Sequence, residues 1–473
     1  MKNILLLGAT GSIGDSVLNV IRQNNSTLNL FGIAVGKNIK KTEAIIETFS
    51  PKNIFIDDIK AYDEISSSHP DKNILNSDQE LLNLISDDKV DIVISAIVGF
   101  AGLKASLMAV NSGKTVLIAN KESIVAAGDI LMPLAKSKGS KIIPIDSEHN
   151  AIFQCLPDDK STEDVNKIII TASGGPFINI PLSDLSEMSP QDALKHPNWE
   201  MGSKISIDSA TLVNKCLELI EARYLFDLNE KFFDLVVHPQ SIIHSIVTYK
   251  DGSSISQMSN PNMEVPIANA LGGSRKVSIE YSELDFTNLQ LSFQEFPSDR
   301  SKLQNLAREI CNTGGSSGLV FNAANEIAVE FFLKKQLKFS QIYDVIYRTF
   351  DLIPLSNPKD IETLNELNDE LSSEDIDPLR LGIGIHCGNA IIGKMGYGDA
   401  SSNTAIGDTV NVASRLEQLT KDYSCQLMFS STVAENAQVD KSKLNSIKTK
   451  IRGKKDYLEA FYCGSAAEAI KAL

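Results

Sequence analysis

A glycine-rich turn between an apolar run and a helical pattern opens the chain, and it constrains the fold more than any other feature. Residues 4–7 form the apolar run, Gly8, Gly11 and Gly14 fill the turn, and residues 16–21 have helical spacing. Glycines in such a turn let the backbone approach a pyrophosphate, whose charge the helix N-terminus favours. The pattern predicts the first strand–helix unit of a Rossmann-like domain. A purely structural turn is the alternative, because the spacing is GxxGxxG rather than the stricter GxGxxG.

The end of the next predicted strand bears on the choice of dinucleotide. Residues 28–38 read LNLFGIAVGKN and finish in Gly36, Lys37 and Asn38. An NAD site would place an acid near this strand end to hold the ribose 2′-hydroxyl, whereas a cation suits the 2′-phosphate of NADP. Lys37 therefore favours NADP, with an ordinary solvated loop charge as the alternative.

Further strands and helices alternate after this segment, as in an open parallel sheet. One predicted strand ends in Asn120, Lys121 and Glu122, and the next, in the segment SKIIPIDSEHN, ends just before Asp146. Ligands of parallel α/β sheets bind beyond the carboxyl ends of the strands. We therefore expect both groups of polar residues to face one crevice.

Two acids, Asp146 and Glu148, flank Ser147 in that segment. On an extended chain, side chains at positions i and i+2 point to the same side. Two carboxylates held that close repel each other unless a cation lies between them or one of them is protonated. A metal site, an acid–base pair and a solvated strand end are the three interpretations, and the carboxyl-end position disfavours the last.

Three later segments carry polar residues that suggest chemistry. Ser173 lies in a loop of small residues after a predicted strand. His196 and Trp199 lie in the segment KHPNWEMG, whose composition suits a mobile lid. The segment KISIDSATLVNKCLELIEARYLF, residues 204–226, predicts a strand, an N-cap at Asp208 or Ser209, and then a helix.

The helix predicted in residues 204–226 carries Asn214, Lys215 and Glu218 on one face. A serine-rich helix N-terminus with Asn214 and Lys215 one turn in is a candidate phosphate cradle. Glu218 adds a third carboxylate, and three oxygen ligands without cysteine suit a hard divalent ion such as Mg²⁺ or Mn²⁺. Taken singly, each residue has an ordinary alternative as a cap, a surface charge or a Lys215–Glu218 pair.

Composition limits the classes of partner and location. The chain has 473 residues and a formal net charge of −15. We expect about three or four domains, and neither nucleic acid nor an anionic membrane as a general partner. The longest apolar stretch, residues 92–103, is too short to span a bilayer. The six cysteines include no CxxC pair, which argues against a zinc knuckle or a disulfide framework. We expect a cytoplasmic protein.

Taken together, the motifs resemble those of one enzyme family, 1-deoxy-D-xylulose 5-phosphate reductoisomerase. The matching motifs, in order from residue 1 to about residue 355, are GATGSIG, AVGKN, ANKES, DSEHNAIFQ, SGGPF, HPNWEMG, KISIDSATLVNKCLELIEARYLF, HPQSIIHSIV and FNAANE. That family isomerises 1-deoxy-D-xylulose 5-phosphate and reduces the product with NADPH to 2-C-methyl-D-erythritol 4-phosphate, a step of isoprenoid precursor synthesis. The resemblance implies this activity, a phosphosugar substrate and a homodimer.

The resemblance also implies a role for each motif residue, and it favours the metal-site interpretation of the opening acids. The implied NADPH contacts are Thr10, Gly11, Ser12, Ile13, Gly36, Lys37, Asn38, Asn120, Glu122 and Gly202. The implied ligands of Mg²⁺ or Mn²⁺, with Co²⁺ as a further candidate, are Asp146, Glu148 and Glu218. The implied substrate contacts are Lys121, Ser147, Ser173, His196, Ser209, Asn214 and Lys215, beside Glu148 and Glu218, with Trp199 closing over the substrate. The residues expected to act in catalysis are Lys121, Asp146, Glu148, His196 and Glu218.

The segment after about residue 357 resembles something else, the C-terminal half of a class III nucleotide cyclase domain. In that family the residues corresponding to Asn411 and Arg415 steady the ribose and phosphates, and the region of Thr404 helps to choose the base. The F-x-D strand that carries the cyclase's metal-binding aspartates has no match before residue 381. Residues 359–378 resemble the helix that joins the two cyclase halves. A gene fusion and an accidental junction of two sequences would both give this pattern.

The expected architecture follows from these segments. We predict a Rossmann-like NADPH domain at residues 1–145, an α+β catalytic domain at 146–285, a linker and partial helical domain at 286–356, and an α+β, ferredoxin-like cyclase half-domain at 357–473. Deleting the residues after 358 is expected to leave reductoisomerase activity intact, provided that the helical domain still folds.

The sequence leaves three hypotheses for the function. The leading hypothesis is an NADPH- and metal-dependent reductoisomerase, because each of its catalytic motifs is present. The second is a nucleotide cyclase or nucleotide-binding regulatory module, which lacks its metal acids. The third is an NADP-dependent dehydrogenase of another family, which would not need Asp146, Glu148 and Glu218 to converge.

Overall fold

A computed structural model describes residues 1–199, 201–273, 276–372, 383–395, 402–423, 425–450 and 457–464. The chain divides into two compact units, Met1–Ser372 and Ser373–Leu473. Among the residues described, no helix is both long enough and apolar enough to cross a membrane.

A parallel sheet with helices between its strands forms the start of the first unit. Within the described residues its seven strands have the order β4-β3-β2-β1-β5-β6-β7. They are β1 (Lys2–Leu7), β2 (Leu28–Val35), β3 (Asn53–Ile56), β4 (Asn73–Leu75), β5 (Ile92–Ser95), β6 (Thr115–Ile118) and β7 (Lys141–Pro144). The helices are α1 (Ser12–Gln23), α2 (Ile39–Phe49), α3 (Ile59–Ser68), α4 (Asp78–Ser86), α5 (Leu103–Asn111) and α6 (Lys121–Lys138). The predicted Rossmann-like fold is confirmed.

The glycine turn after β1 explains why this motif opens the fold. Gly8 has a φ of +84°, and a Cβ there would lie 2.4 Å from the carbonyl oxygen of Ala96. A Cβ on Gly14 would lie 2.4 Å from the carbonyl oxygen of Ala9, so α1 packs directly against the end of β1. Only glycine allows both the turn and this close approach. The N-terminus of α1 consequently lies at the carboxyl edge of the sheet.

A second, mixed sheet follows, with the order β11-β10-β8-β9-β12. Its strands are β8 (Val165–Ala172), β9 (Phe233–Val237), β10 (Ile243–Tyr249), β11 (Ser254–Met258) and β12 (Gln294–Glu295). The helices inserted in this region are α7 (Ser147–Cys155), α8 (Pro190–Ala193), α9 (Ser203–Thr211), α10 (Val213–Leu225) and α11 (Glu264–Gly272). Most of the predicted substrate and metal residues lie on or next to α7, α9 and α10.

The strand predicted at the start of residues 204–226 is wrong, because this segment is helix α9. Its apolar residues alternate with polar ones, which is a strand pattern, yet Ser206 and Asp208 are buried. Asp208 forms an ion pair with Lys204, four residues earlier, at 2.7 Å. Residues four apart lie on the same face of a helix, so the helical conformation brings Lys204 and Asp208 together. Asp208 also accepts a hydrogen bond from Asn325 at 2.8 Å. Leu212, with a left-handed φ of +64°, then separates α9 from α10.

The extended geometry expected for Asp146 to Glu148 is also wrong. Asp146 is the N-cap of α7, and its side chain accepts a hydrogen bond from the backbone N–H of Glu148 at 3.2 Å. These two acids are therefore brought together by a helix N-cap and not by the alternation of side chains along a strand.

Four helices complete the first unit, namely α12 (Ser301–Thr313), α13 (Ser317–Leu333), α14 (Gln341–Leu352) and α15 (Ile361–Ser372). The first three lie within residues 286–356, where a linker and partial helical domain was predicted. The last lies in the segment that we expected to join two cyclase halves. Instead, Leu364 and Leu371 of α15 are buried in a cluster with residues of α5, α6 and α13. Their spacing of seven residues places both leucines on one face of the helix.

The second unit contains a sheet with the order β13-β16-β18-β17 and a separate pair, β14 and β15. Its elements are β13 (Ile383–Ile385), β14 (Ile391–Met395), β15 (Ser402–Ile406), α16 (Asp408–Asp422), β16 (Leu427–Ser430), α17 (Ser431–Asn436), β17 (Asn445–Lys450) and β18 (Tyr457–Cys463). Helix α16 buries Val412 and Leu416 in the core of this unit and leaves Asn411 and Arg415 exposed. Thr404 lies on β15, and its side chain is outside the described part of the chain.

Candidate active site

A cleft of about 340 Å³ in the first unit gathers most of the predicted site residues. Its lining includes Ser12, Ile13, Asn120, Lys121, Glu122, Asp146, Ser147, Glu148, Ser173, His196, Trp199, Gly202, Ser209, Asn214, Lys215 and Glu218. The predicted metal and substrate residues all belong to this lining. The carboxyl ends of β5 and β6 contribute Ala96 and Ala119, as the crevice rule for parallel sheets predicts.

Three carboxylates converge at the base of the cleft. Asp146, Glu148 and Glu218 each offer an oxygen atom, and these atoms lie within 4.8 Å of one another. Asp146 and Glu148 are placed by the start of α7, and Glu218 lies on α10, where it is 1% exposed. Two helices from different parts of the sequence thus build one acidic cluster.

Two lysines neutralise part of this charge. Lys121 Nζ donates to Asp146 Oδ2 at 2.8 Å and to Glu218 Oε1 at 3.0 Å. It also donates to Asn214 Oδ1 at 2.9 Å. Lys215 Nζ donates to Glu218 Oε2 at 2.6 Å and to Glu148 Oε1. The two lysines, the three carboxylates and Asn214 form one largely buried network.

The network shifts the ionisation of its members in opposite directions. Burial alone would lower the pKa of Lys121, but the negative charges of Asp146 and Glu218 hold it well above its usual value. Burial would raise the pKa of Asp146, yet the charge of Lys121 lowers it. The pKa of Glu218 is raised by burial and by the neighbouring carboxylates Asp146 and Glu148. Glu218 is therefore more readily protonated than Asp146.

A buried histidine supports the cluster from behind. His149 lies one residue after Glu148, and its Nε2 is 2.9 Å from the backbone oxygen of Glu218. Its Nδ1 is 3.0 Å from a carboxylate oxygen of Glu221. Burial would lower the pKa of His149, but the carboxylate of Glu221 raises it to about 9. Sequence reasoning assigned no role to Glu221, whose only signal was its position three residues after Glu218.

His196 is held in one tautomer by the loop that follows it. The backbone N–H groups of Asn198 and Trp199 donate to His196 Nδ1 at 3.2 and 3.0 Å. Nδ1 is thus an acceptor, so the ring proton is on Nε2, which lies 2.9 Å from Ser173 Oγ. Burial and the charge of Lys215 lower the pKa of His196 to about 4, which keeps the ring neutral. A neutral donor consequently points into the cleft.

The loop that carries Trp199 is fastened to the opposite wall of the cleft. Asn198 Nδ2 donates to the carbonyl oxygen of Pro239 at 2.6 Å and to Ser241 Oγ at 3.0 Å. The rings of Trp199 and His244 lie with centroids 6.0 Å apart. The predicted lid residue Trp199 is therefore positioned over the cleft by contacts from residues 238–244.

The residues predicted to hold NADPH lie in three places. Thr10 and Gly11 lie in the turn after β1, and Ser12 and Ile13 begin α1. Gly36, Lys37 and Asn38 are exposed and follow β2, and Asn38 is the N-cap of α2. The third group, Asn120, Glu122 and Gly202, lines the cleft. The first two groups lie at the carboxyl ends of the neighbouring strands β1 and β2. Of these residues, Ser12 and Ile13 line the cleft, and the others lie outside its lining, namely Thr10, Gly11, Gly36, Lys37 and Asn38.

Two of the expected cofactor contacts already have structural partners. The amide of Asn120 donates to the backbone oxygen of Gly99 at 2.8 Å and accepts from the N–H of Ser123 at 2.7 Å. Glu122 is buried, and its carboxylate forms an ion pair with Lys204 at 3.0 Å. Lys204 lies in the first turn of α9, after the Trp199 loop, and also forms an ion pair with Asp208. This pair links the loop to the end of β6.

Several cleft residues were missed by sequence reasoning. Ala96, Ile97 and Val98 follow β5, and Met263 and His244 come from the second sheet and its connections. Apart from His244, which lies in the motif HPQSIIHSIV, these residue types carry no chemical pattern, so only the strand end could have pointed to residues 96–98. Lys41 was also missed. Its Nζ donates to the backbone oxygen of Thr10 at 3.0 Å and forms an ion pair with Asp15 at 2.6 Å, next to the glycine turn.

The carboxylate cluster fits a divalent ion by its donor chemistry. Asp146, Glu148 and Glu218 supply hard oxygen donors from one side, no thiol is present among them, and the cleft leaves the other side open to further oxygen ligands. Mg²⁺ and Mn²⁺ match such a set better than a soft metal does.

Comparison with known proteins agrees with this geometry. Family models match three segments of the first unit: 1-deoxy-D-xylulose 5-phosphate reductoisomerase at residues 4–128, its C-terminal domain at 142–226, and the DXP reductoisomerase C-terminal domain at 258–373. The reductoisomerase of Shewanella frigidimarina is 42% identical over 383 residues, covering 78% of this chain and 97% of that protein. The Acinetobacter baylyi reductoisomerase is 45% identical over 359 residues, covering 73% and 90%. The chain belongs to the 1-deoxy-D-xylulose 5-phosphate reductoisomerase family.

Solved structures of reductoisomerases have the same fold. A crystal structure of DOX-P reductoisomerase in complex with NADPH, fosmidomycin and magnesium is 38% identical, covers 78% of this chain and 96% of that one, and has a TM-score of 0.75. The reductoisomerase of Zymomonas mobilis in complex with NADPH is also 38% identical, covers 78% and 97%, and has a TM-score of 0.73. The reductoisomerase match extends beyond residue 355, to residue 373, and so includes α15.

The tail has a second similarity. Residues 357–463 match the model of the adenylate and guanylate cyclase catalytic domain. The predicted resemblance of the tail is therefore confirmed, and residues 357–373 are matched by both families.

Proposed function

We propose that the first unit converts 1-deoxy-D-xylulose 5-phosphate to 2-C-methyl-D-erythritol 4-phosphate with NADPH and a divalent metal ion. The observation that carries this proposal is the convergence of Asp146, Glu148 and Glu218 in the cleft beyond the Rossmann-like sheet. A plain dehydrogenase needs no such cluster beside its dinucleotide site. Membership of the reductoisomerase family and the ligands named for its solved members support the same conclusion.

The chemistry divides between bound groups and side chains. When bound, the metal ion supplies a Lewis acid for the ketone and its neighbouring hydroxyl, and NADPH supplies the hydride. Asp146, Glu148 and Glu218 would hold the ion, and His149 with Glu221 keeps α7 and α10 in register for this task. Lys121 bridges two of these ligands, which fixes their orientation and limits the net negative charge of the cluster.

Other residues would bind the phosphosugar. Ser173, Ser209, Asn214 and Lys215 line the cleft and offer hydroxyl, amide and ammonium donors suited to a phosphate. His196 would donate from Nε2 to a substrate oxygen, because its Nδ1 is already engaged by the backbone. Trp199 would close over the substrate and exclude water.

The NADPH preference follows from the residues after β2. Lys37 and Asn38 are exposed at the edge where the adenosine half of a dinucleotide lies in Rossmann-like folds. The ammonium of Lys37 would attract the 2′-phosphate. Thr10 to Ile13 would hold the pyrophosphate at the N-terminus of α1.

The assembly and location of the protein belong to the same proposal. We propose a homodimer in the cytoplasm, on the basis of the family resemblance and the amino-acid composition. The partner of the site is a small phosphosugar rather than a macromolecule.

We propose no cyclase activity for the tail. Asn411 and Arg415 are exposed on one helix, as a nucleotide-binding pair would be. The cyclase reaction also needs metal-binding aspartates, and the sequence has no match for the strand that carries them. Purified protein incubated with ATP or GTP and Mn²⁺ should form no cyclic nucleotide. Cyclic nucleotide that disappears in Arg415→Ala would contradict this proposal.

A coupled requirement tests the main proposal. NADPH oxidation should depend on both 1-deoxy-D-xylulose 5-phosphate and Mn²⁺ or Mg²⁺, and a chelator should abolish it. The matched control replaces the substrate with its unphosphorylated sugar, which should be far poorer because the phosphate donors of the cleft then have no partner. Oxidation that proceeds equally well in the presence of a chelator would contradict the proposal.

A further inference from the structure

The acidic cluster contains two cations of its own, and they are not equivalent. Lys121 donates to a neutral acceptor, Asn214 Oδ1, as well as to carboxylates. The hydrogen-bond partners of Lys215 are two carboxylates, Glu148 and Glu218, and both belong to the proposed metal site. A divalent ion and the Lys215 ammonium would therefore compete for the same two carboxylates.

We infer that Lys215 exchanges between the metal-binding carboxylates and the phosphate of the substrate, so that binding of the divalent ion releases Lys215 to bind the anion. Glu148 and Glu218 would hold the ion, whose positive charge would weaken their attraction for the Lys215 ammonium and repel it at close range. Lys121 keeps Asn214 as a partner, whereas Lys215 has to find a new one. This inference rests on the proposed function for the identity of the three metal ligands and of the phosphate donors.

The cleft contains a position where the released Lys215 side chain could bind the substrate phosphate. Lys215 already lines the cleft, together with the phosphate donors Ser173, Ser209 and Asn214. Lys215 also shares this lining with His196 and His244. A tetrahedral dianion in this part of the cleft would have a cation available once the metal ion is bound.

The exchange makes metal and phosphate binding reinforce each other. The ion removes Lys215 from the carboxylates, and the phosphate stabilises the released position. Linkage requires the effect to be equal in both directions. Couplings of this kind change affinity by about 5–150-fold, so an effect of about tenfold or more is expected.

Direct binding measurements test the exchange without turnover. Isothermal titration calorimetry gives the dissociation constant of Mn²⁺ with and without saturating inorganic phosphate. The measurement is made on the unmutated full-length protein and on Lys215→Met. Phosphate should tighten Mn²⁺ binding by about tenfold in the unmutated protein. In Lys215→Met, Mn²⁺ should bind more tightly without phosphate, because its competitor is gone, and phosphate should have little further effect.

Two further variants guard against trivial outcomes. Lys167→Met removes a half-buried lysine that pairs with Asp234 on the second sheet, and this variant should behave like the unmutated protein. Lys215→Gln keeps a hydrogen-bonding side chain and is measured in place of Lys215→Met if that variant fails to fold. Circular dichroism establishes that each variant is folded before titration.

The outcomes separate this inference from the proposed function. Mn²⁺ that binds more weakly to the Lys215 variant, or phosphate coupling that survives in it, overturns the exchange and leaves the metal site standing. A phosphate effect that persists without Lys215 would mean that the anion contacts the ion directly. Failure of the unmutated protein to bind Mn²⁺ overturns the metal site itself, and the exchange with it.

Discussion

Helix α15 is the most informative place to perturb the fold, because sequence and structure assign it differently. The resemblance of residues 359–378 to a cyclase linker predicts that deletion after residue 358 is harmless. In the structure, Leu364 is 1% exposed and Leu371 is 8% exposed, and both pack with residues of α5, α6 and α13. We therefore expect the chain 1–358 to lose stability and activity, whereas the chain 1–372 keeps both.

The size of the effect follows from burial. Replacing a fully buried leucine with alanine costs about 2–5 kcal/mol, which is a large part of the roughly 5–15 kcal/mol that stabilises most domains. Leu364→Ala in the chain 1–372 should lower the free energy of unfolding by an amount in that range. Asn365→Ala is the matched control, because Asn365 is exposed on the same helix and should change stability by less than about 0.5 kcal/mol.

Deletion of α15 should also disturb the active site and lower activity. The cluster beneath it contains Ala126 and Ala127 of α6, which lie within two turns of Lys121 and Glu122 at the start of that helix. Urea unfolding and NADPH oxidation measured on 1–358, 1–372 and the two point variants provide the assay. Equal unfolding midpoints for 1–358 and 1–372 would refute the assignment of α15 to the reductoisomerase unit.

Three further predictions concern the site. Lys37→Asp should raise the KM for NADPH by at least about tenfold, through lost attraction and new repulsion at the 2′-phosphate, and should leave the KM for NADH nearly unchanged; a common change in both would argue against this contact. Glu218→Gln should abolish Mn²⁺ binding in a titration and preserve NADPH binding, and retention of Mn²⁺ would remove Glu218 from the site. Because the pKa of His196 falls from 6.5 to about 4 on folding, the unfolded chain binds more protons between these pH values. The free energy of unfolding should therefore fall as the pH drops through this window, and His196→Gln should flatten the dependence; an unchanged slope would mean that His196 is not held neutral.

The parts of the fold that depend on local pattern were predictable from sequence. The glycine turn, the alternation of strands and helices, and the carboxyl-end rule placed Lys121 and Asp146 at one crevice. The helical segment at Ser203–Thr211 was not predictable, because its polar residues are buried by an ion-pair network that forms only in the tertiary structure. Alternating side chains of this kind resemble a strand when Asp208 is assumed to face solvent.

The residues of the candidate site could be predicted from the sequence, but the hydrogen bonds and ion pairs between them could not. Motif residues were sufficient to group Asp146, Glu148 and Glu218, although the expected extended chain between the first two is a helix cap in the structure. The sharing of Glu218 between Lys121 and Lys215 depends on the relative position of α6, α7 and α10. No local pattern specifies that arrangement, since the three helices are brought together only by packing of the whole unit.

The central claim is that one site first rearranges the carbon skeleton and then reduces it. The most direct measurement follows deuterium from NADPH labelled at its transferable position into the product of 1-deoxy-D-xylulose 5-phosphate, detected by NMR in the presence of Mn²⁺. We expect one deuterium per molecule of a branched product, on the carbon that was the aldehyde after rearrangement. Deuterium on the former ketone carbon of an unbranched sugar would identify a plain dehydrogenase and contradict the account.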